Sequence, residues 1–128
     1  MASPPLVVIV DDDLSVRESL PELLRQCGFA ATALPSADAL LASDVLHEAS
    51  CLILDLAMPG MSGIELAREL ARRGQPIPFV FISGDTDEHD RPRLLQEGAV
   101  ACLFKPFGEG ELLAAVRVAL AAWTDGAD

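Results

Sequence analysis

No stretch of this 128-residue chain is apolar for the roughly 20 residues that a membrane-spanning helix needs. No basic-then-apolar signal opens it either, because residues 1–5 carry no charged side chain. No membrane association is expected, and the cytoplasm is the expected compartment. Basic residues are scarce: 9 Lys and Arg stand against 20 Asp and Glu, a formal net charge of −11 with a pI of about 4.4. Neutralising phosphates takes clustered Lys and Arg, so direct nucleic-acid binding is not expected. Cysteines are few and odd in number. Cys27, Cys51 and Cys102 have no metal-type spacing and sit in apolar stretches, which fits reduced core thiols. Internal repeats and low-complexity linkers are absent from the sequence.

What is present is a chain 51% apolar, enough for one core, and of a length that suits one domain over residues 1–128 with its core at about 6–122. Short apolar runs alternate with amphipathic ones. Leu6, Val7, Val8, Ile9 and Val10 form a continuous run read as a strand buried on both faces. It stops at Asp11, Asp12 and Asp13. Val16, Leu20, Leu23, Leu24 and Cys27 then share one helical face, closed by Gly28. Pro21 inside that helix removes one backbone hydrogen bond and predicts a kink. Residues 29–34 read as a weaker strand. Ser36 predicts an N-cap for a helix through Ala37, Leu40, Leu41 and Val45.

Residues 51–54 predict a third strand, ending at Asp55. Residues 58–63 are turn chemistry, and Ile64, Leu66, Ala67 and Leu70 mark a third helix ending near Gly74. A fourth strand over 79–82 ends at Ser83. A polar stretch, 85–90, precedes a short helix carrying Pro92, Leu94 and Leu95. A fifth strand over 100–104 ends at Lys105 and Pro106, and Leu112, Leu113, Val116 and Leu120 line a last helix. Strictly alternating strands and helices imply an α/β fold with one parallel sheet covered on both faces. The length is about half of what a closed eight-fold barrel requires, which leaves an open doubly wound sheet of five strands and five helices.

Ligands of such sheets bind beyond the carboxyl ends of the strands, at the point where strand order reverses. The residues there are Asp11 and Asp12 after strand one, Asp55 after strand three, Ser83 after strand four and Lys105 after strand five. Each alone has a plain explanation. An acidic triplet caps a helix, an Asp before Met-Pro-Gly serves a turn, and a Lys before Pro is usually solvated. Together they make chemistry. Like charges about 4 Å apart repel by about 4 kcal/mol at an effective dielectric of about 20, so clustered carboxylates take up a proton or a cation. A few carboxylate oxygens suit Mg²⁺. Mg²⁺ and Lys105 together can neutralise a transferring phosphoryl group, Ser83 can donate to it, and Asp55 can attack it.

At these residues the chain resembles a known family. Ile9-Val10-Asp11-Asp12-Asp13, the block from Leu54 through Asp55, Met58, Pro59 and Met61 to Gly63, Phe81-Ile82-Ser83-Gly84 and Phe104-Lys105-Pro106-Phe107 look like the signature blocks of two-component response-regulator receiver domains. The resemblance spans about Leu6 to Leu120 and has the flavour of the nitrogen-fixation regulators. It implies a flavodoxin-like sheet of order 2-1-3-4-5. It implies Asp55 as phosphoacceptor, Mg²⁺ held by Asp11, Asp12, Asp55 and the Ala57 backbone carbonyl, Ser83 and Lys105 on the phosphoryl group, and a cis peptide between Lys105 and Pro106. The donor would be a sensor histidine kinase or a phosphotransfer protein. The protein would be a signalling switch that catalyses only its own phosphorylation and dephosphorylation. The helix 4, strand 5 and helix 5 surface would meet a partner or a second copy, with Leu103, Phe107 and Trp123 as candidate contacts. His47 and His89 are expected at solvated surfaces.

Two positions depart from the family pattern. Cys102 stands three residues before Lys105, where an aromatic ring is common, so switching is expected to run from Ser83 through the following loop into the fourth helix. Ala57 has no polar side chain to orient a hydrolytic water, a task Asp85 can take from the other side. Two other functions compete: a receiver that docks partners without phosphorylation, and a haloacid-dehalogenase-type phosphatase built on Asp11 and Asp13. The latter needs a further acidic pair after a late strand, where Lys105-Pro106-Phe107 stands instead. Met1 and the stretch 124–128 look natural, so a stand-alone receiver is expected.

Overall fold

The structure, a computed structural model, describes residues 4–126, with side chains through residue 123. In chain order the elements are β1 (Leu6–Val10), α1 (Leu14–Gln26), β2 (Ala30–Leu34), α2 (Ala37–Leu41), β3 (Cys51–Asp55), α3 (Gly63–Arg72), β4 (Phe79–Ser83), α4 (Arg91–Gln96), β5 (Ala101–Phe104) and α5 (Glu109–Gly126). Single 3₁₀ turns precede β3 (Asp44–Glu48) and α4 (Glu88–Asp90). The five strands form one parallel sheet in the order β2-β1-β3-β4-β5.

The β-branched run of β1 is buried from Val7 to Val10 because it pairs on both edges and is covered on both faces. Alternation along the strands sorts side chains into two layers. Val8, Val10, Leu52, Leu54, Phe81 and Cys102 pack with Leu40, Leu66, Leu70 and Leu94 from α2, α3 and α4. Val7, Ile9, Ile53, Val80, Ile82 and Leu103 pack with Leu20 and Leu24 of α1 and Leu112 and Val116 of α5. Each fully buried aliphatic side chain contributes roughly 1.5–3 kcal/mol, so both layers hold the strand ends in fixed register.

Local chemistry sets the helix limits. Asp13 caps α1, its carboxylate accepting from the Ser15 amide at 2.8 Å. Gly28, at φ 96°, ends it with amides 28 and 29 donating to the carbonyls of Arg25 and Leu24. Pro21 is buried, and α1 runs as one helix through it. Ser62 and Glu65 close a reciprocal capping box at the start of α3. The second helix differs from expectation. It stops at Leu41, and Ser43 starts a separate 3₁₀ turn by accepting from the Val45 amide at 3.1 Å. Leu46 rather than Val45 fills the core there. Strand β5 begins at Ala101, one residue later than expected, while β3 and β4 each run one residue further, to Asp55 and Ser83.

Candidate acidic phosphoacceptor site

Strand order reverses between β1 and β3, and the site grows from that crevice. Val10 pairs with Leu54, so Asp11 and Asp55 follow at the same level. Asp55 pairs with Ile82 and Ser83 with Phe104, which brings Ser83 and Lys105 to the same sheet edge. The Leu56 amide donates to Ile82 at 3.0 Å and the Lys105 amide to Ser83 at 2.7 Å, extending the ladder past the strand ends. The Lys105–Pro106 peptide is cis.

Of the acidic triplet, only two members enter the site. Asp13 is used as the cap of α1. Asp11 is fully buried: Oδ1 accepts from the Asp13 amide at 2.9 Å, and Oδ2 lies 3.4 Å from Lys105 Nζ. Asp12 is exposed. Asp55 is 5% exposed, with Oδ1 accepting from the Ala57 amide at 3.3 Å. One carboxylate oxygen from each of Asp11, Asp12 and Asp55 falls within 4.8 Å of the others. Burial, followed by the negative charge of Asp11, pushes Asp55 up to about 7, while the Ala57 amide and Lys105 pull the other way. Asp55 is pushed up in spite of Lys105, the only lysine of the chain, so the buried cluster favours an added proton or cation. An oxygen-rich, under-neutralised cluster open on the Asp12 side fits a divalent cation such as Mg²⁺.

Ser83 is 2% exposed. Its Oγ accepts from the amides of Thr86 and Asp85 at 3.1 and 3.2 Å and shares a hydroxyl–hydroxyl hydrogen bond with Thr86 at 2.8 Å. Ala57 is exposed and contributes its amide to Asp55. Cys102 is buried in the layer under α4 and carries no ring. Three residues escaped the sequence reading. Arg17 donates from Nη1 to the Asp11 carbonyl at 3.1 Å. Arg91 donates to the Cys102 carbonyl at 3.0 Å, pairs with Glu88 at 2.8 Å and lies 5.0 Å from the centre of the Phe104 ring. Thr86 holds Ser83. Arginines on helical faces give no periodic signal that separates a solvated charge from a strap, so only geometry finds them.

Among the expected partner contacts, Leu103 is 6% exposed and belongs to the core under α1 and α5, so it offers no surface. Phe107 is half-buried against the same layer, and Trp123 is 36% exposed. His47 and His89 are exposed, His89 beside Asp87 at 3.4 Å. Cys51 and Cys102 are buried free thiols and Cys27 a half-buried one, and burial pushes Cys51 up to about 12. Met1 and residues 127–128, which entered the stand-alone and single-domain expectations, lie outside the described residues, as do the side chains of 124–126. No described helix is long and apolar enough to cross a membrane.

The family model described as the response regulator receiver domain matches residues 7–117. Nodulation protein W of Bradyrhizobium diazoefficiens is 43% identical over 114 residues, 89% of this chain and 50% of that protein. Transcriptional regulatory protein FixJ of Azorhizobium caulinodans is 40% identical over 114 residues, 89% of this chain and 54% of that protein. The chain spans about half the length of these relatives. The crystal structure of FixJ-N superposes with a TM-score of 0.82 at 35% identity, covering 94% of this chain and 96% of that one. The response regulator StyR gives 0.86 at 41%, covering 95% and 62%. The strand order and these matches agree, and no late acidic pair stands where the phosphatase alternative needs one. By fold, motif and kinship, the chain belongs to the response regulator receiver domain family, on its FixJ-like side.

Proposed function

We propose that this domain is a phosphorylation switch in which Asp55 takes a phosphoryl group from a histidine kinase or phosphotransfer protein. The observation that carries this reading is the meeting of Asp11, Asp12 and Asp55 within one ion's reach beside Lys105. In the transfer, a carboxylate oxygen of Asp55 forms a bond to phosphorus while the bond from phosphorus to the donor's imidazole nitrogen breaks. Lys105 offsets the charge on the phosphoryl oxygens, and Ser83 donates a hydrogen bond to one of them. Mg²⁺, held by Asp11, Asp12, Asp55 and the Ala57 carbonyl, supplies the remaining positive charge when bound. Asp55 must be ionised to attack, so the cationic neighbours also counter its raised affinity for a proton. The reading places the domain in the cytoplasm, takes residues 1–128 as one receiver, and assigns it no direct contact with nucleic acid or membrane.

The test is incubation with Mg²⁺ and acetyl phosphate, a small acyl phosphate donor. One phosphoryl mass is expected on the wild type and none on Asp55→Asn. A wild type that stays unmodified would overturn the switch and leave a docking receiver.

The signal is proposed to leave through residues 84–105 to the α4, β5 and α5 surface, where a partner or second copy would bind. Cys102 cannot swing a ring. Arg91 instead ties α4 to β5 through the Cys102 carbonyl and the Phe104 face. Amide hydrogen exchange over residues 84–98 is expected to change when an acyl-phosphate mimic occupies Asp55. Unchanged exchange there would remove this route.

A further inference from the structure

The β1 ladder ends at the Asp11 amide, which donates to the Leu34 carbonyl at 3.1 Å. Beyond that point side chains hold the backbone. The Asp13 amide donates to the Asp11 carboxylate, and Nη1 of Arg17 donates to the Asp11 carbonyl at 3.1 Å. A guanidinium can only donate and a carbonyl can only accept, so this bond has one direction. Asp11 is 0% exposed, which closes its carbonyl to bulk water, and a buried carbonyl needs a partner. Among the described residues no other donor reaches it. The use of Arg17 is specific as well. Arg25, Arg68, Arg72, Arg73, Arg91 and Arg93 each pair with a carboxylate. Arg17 follows three consecutive aspartates by one helical turn, yet it is spent on a main-chain oxygen. The turn it fixes carries Asp11 and Asp12, which supply two of the three oxygens that lie within 4.8 Å of one another. The Asp12 carboxylate is exposed and has no hydrogen bond among the described residues, so its place depends on the backbone of residues 11–13 and on its own rotamer.

We propose that Arg17 is a positioning residue for the cation site, one that fixes the Asp11 carbonyl so that the Asp11 and Asp12 carboxylates stand ready for a divalent ion. This rests on the reading of Asp11, Asp12 and Asp55 as a Mg²⁺ site given above. Among the described residues Arg17 bonds to no carboxylate of the cluster, and it acts through the Asp11 backbone. Its charge works the other way. A guanidinium near a cation site repels the ion, so charge alone predicts tighter Mg²⁺ binding once Arg17 is gone. Positioning predicts weaker binding. The two roles differ in sign, and one measurement separates them.

The experiment titrates Mg²⁺ calorimetrically into the wild type, Arg17→Met, Arg17→Lys and Arg117→Met, each well below its melting temperature. Phosphorylation by acetyl phosphate is followed over a range of Mg²⁺ concentrations. Losing a partner that orients a metal ligand typically weakens the metal about 10–100-fold, and relief of repulsion offsets part of this, so Arg17→Met is expected to bind Mg²⁺ about tenfold more weakly. Its phosphorylation rate falls at low Mg²⁺ and recovers towards wild type once Mg²⁺ saturates. Arg17→Lys keeps a charged donor of nearly the same reach and restores most of the affinity. Arg117→Met removes an exposed positive charge from α5 and shows no loss. Should Arg17→Met not fold, Arg17→Gln, whose amide is too short to reach the carbonyl, takes its place with the same expected loss. Affinity equal to or tighter than wild type in Arg17→Met, or a loss as deep in Arg17→Lys or Arg117→Met, overturns the proposal while leaving the ion site standing. A wild type that binds no Mg²⁺ overturns the underlying reading, and this one with it.

Discussion

Asp55→Asn is expected to stabilise the metal-free protein at pH 8 and to leave its stability near the wild-type value at pH 4. The cause is the proton that the folded site holds too tightly. Asp55 stands at about 7 in the fold against 3.8 for the free group, raised first by burial and then by Asp11. Below pH 4 both folded and unfolded chains carry this proton, and the group is neutral to stability. Between about pH 4 and 7 the unfolded chain releases it while the folded chain keeps it. The unfolded state then binds fewer protons, so stability falls as pH rises through that window. Above pH 7 the loss is complete, and a carboxylate that cannot ionise avoids it. About three pKa units correspond to roughly 4 kcal/mol, and relaxation of the site lowers this to roughly 2–4 kcal/mol.

Urea denaturation of both proteins across pH 4–8, without metal, measures the difference directly. Subtraction removes the carboxylates remote from the site, whereas Asp11 stays coupled to Asp55 and its contribution is counted with it. A difference that stays flat with pH, or a less stable Asp55→Asn at pH 8, would show that Asp55 is not held against its charge. Added Mg²⁺ is expected to reverse the ranking in part. If the proposed ion site is right, Mg²⁺ stabilises the folded wild type by an amount that grows with its concentration, and the variant, one carboxylate short, gains less.

Most of this architecture is legible in the residues because each strand is announced by a run that nothing else explains. Four apolar segments ending in Asp11, Asp55, Ser83 and Lys105 point to one sheet edge, while the strand order is legible only through the family resemblance. Register is the less visible part. Asp13 looks the same in sequence as its two neighbours, and only the capping bond to Ser15 separates a helix cap from the site pair. The periodic pattern through Leu40, Leu41 and Val45 predicts one helix. Ser43 breaks it because its side chain offers the backbone a local partner, a competition that hydrophobic spacing does not register. Thr86 reaches Ser83 and Arg91 reaches the Cys102 carbonyl through side-chain hydrogen bonds that no spacing rule anticipates.

Gly63 carries the other large effect. The turn reading of residues 58–63 places it in a loop, whereas it is the first residue of α3 and is buried. Its backbone is not in the left-handed region, so conformational freedom is not the reason for glycine here. Space is. A Cβ at this position would press hardest on the Asp55 carbonyl oxygen, with the Asp55 carbonyl carbon at 3.0 Å and the Leu56 Cα at 3.1 Å. All three are main-chain atoms and none can swing aside. Helix propensity alone favours Ala over Gly by about 1 kcal/mol. Overpacking against a rigid backbone opposes it with about 1–3 kcal/mol or more. Gly63→Ala is therefore expected to lose about 1–2 kcal/mol, a fall in Tm of about 5 °C for a chain of this size. Two of these three atoms belong to Asp55 itself, so the damage reaches the site. A shift of about 1 Å can cost about 10²-fold in a positioned reaction, and phosphorylation by acetyl phosphate is expected to drop at least tenfold at temperatures where the variant is still folded. Thermal melting and the phosphorylation rate separate the two effects. A variant that melts at or above wild type would mean that α3 can pull back from β3 without strain, and the close approach of Gly63 to the Asp55 backbone would lose its role in holding Asp55 in place.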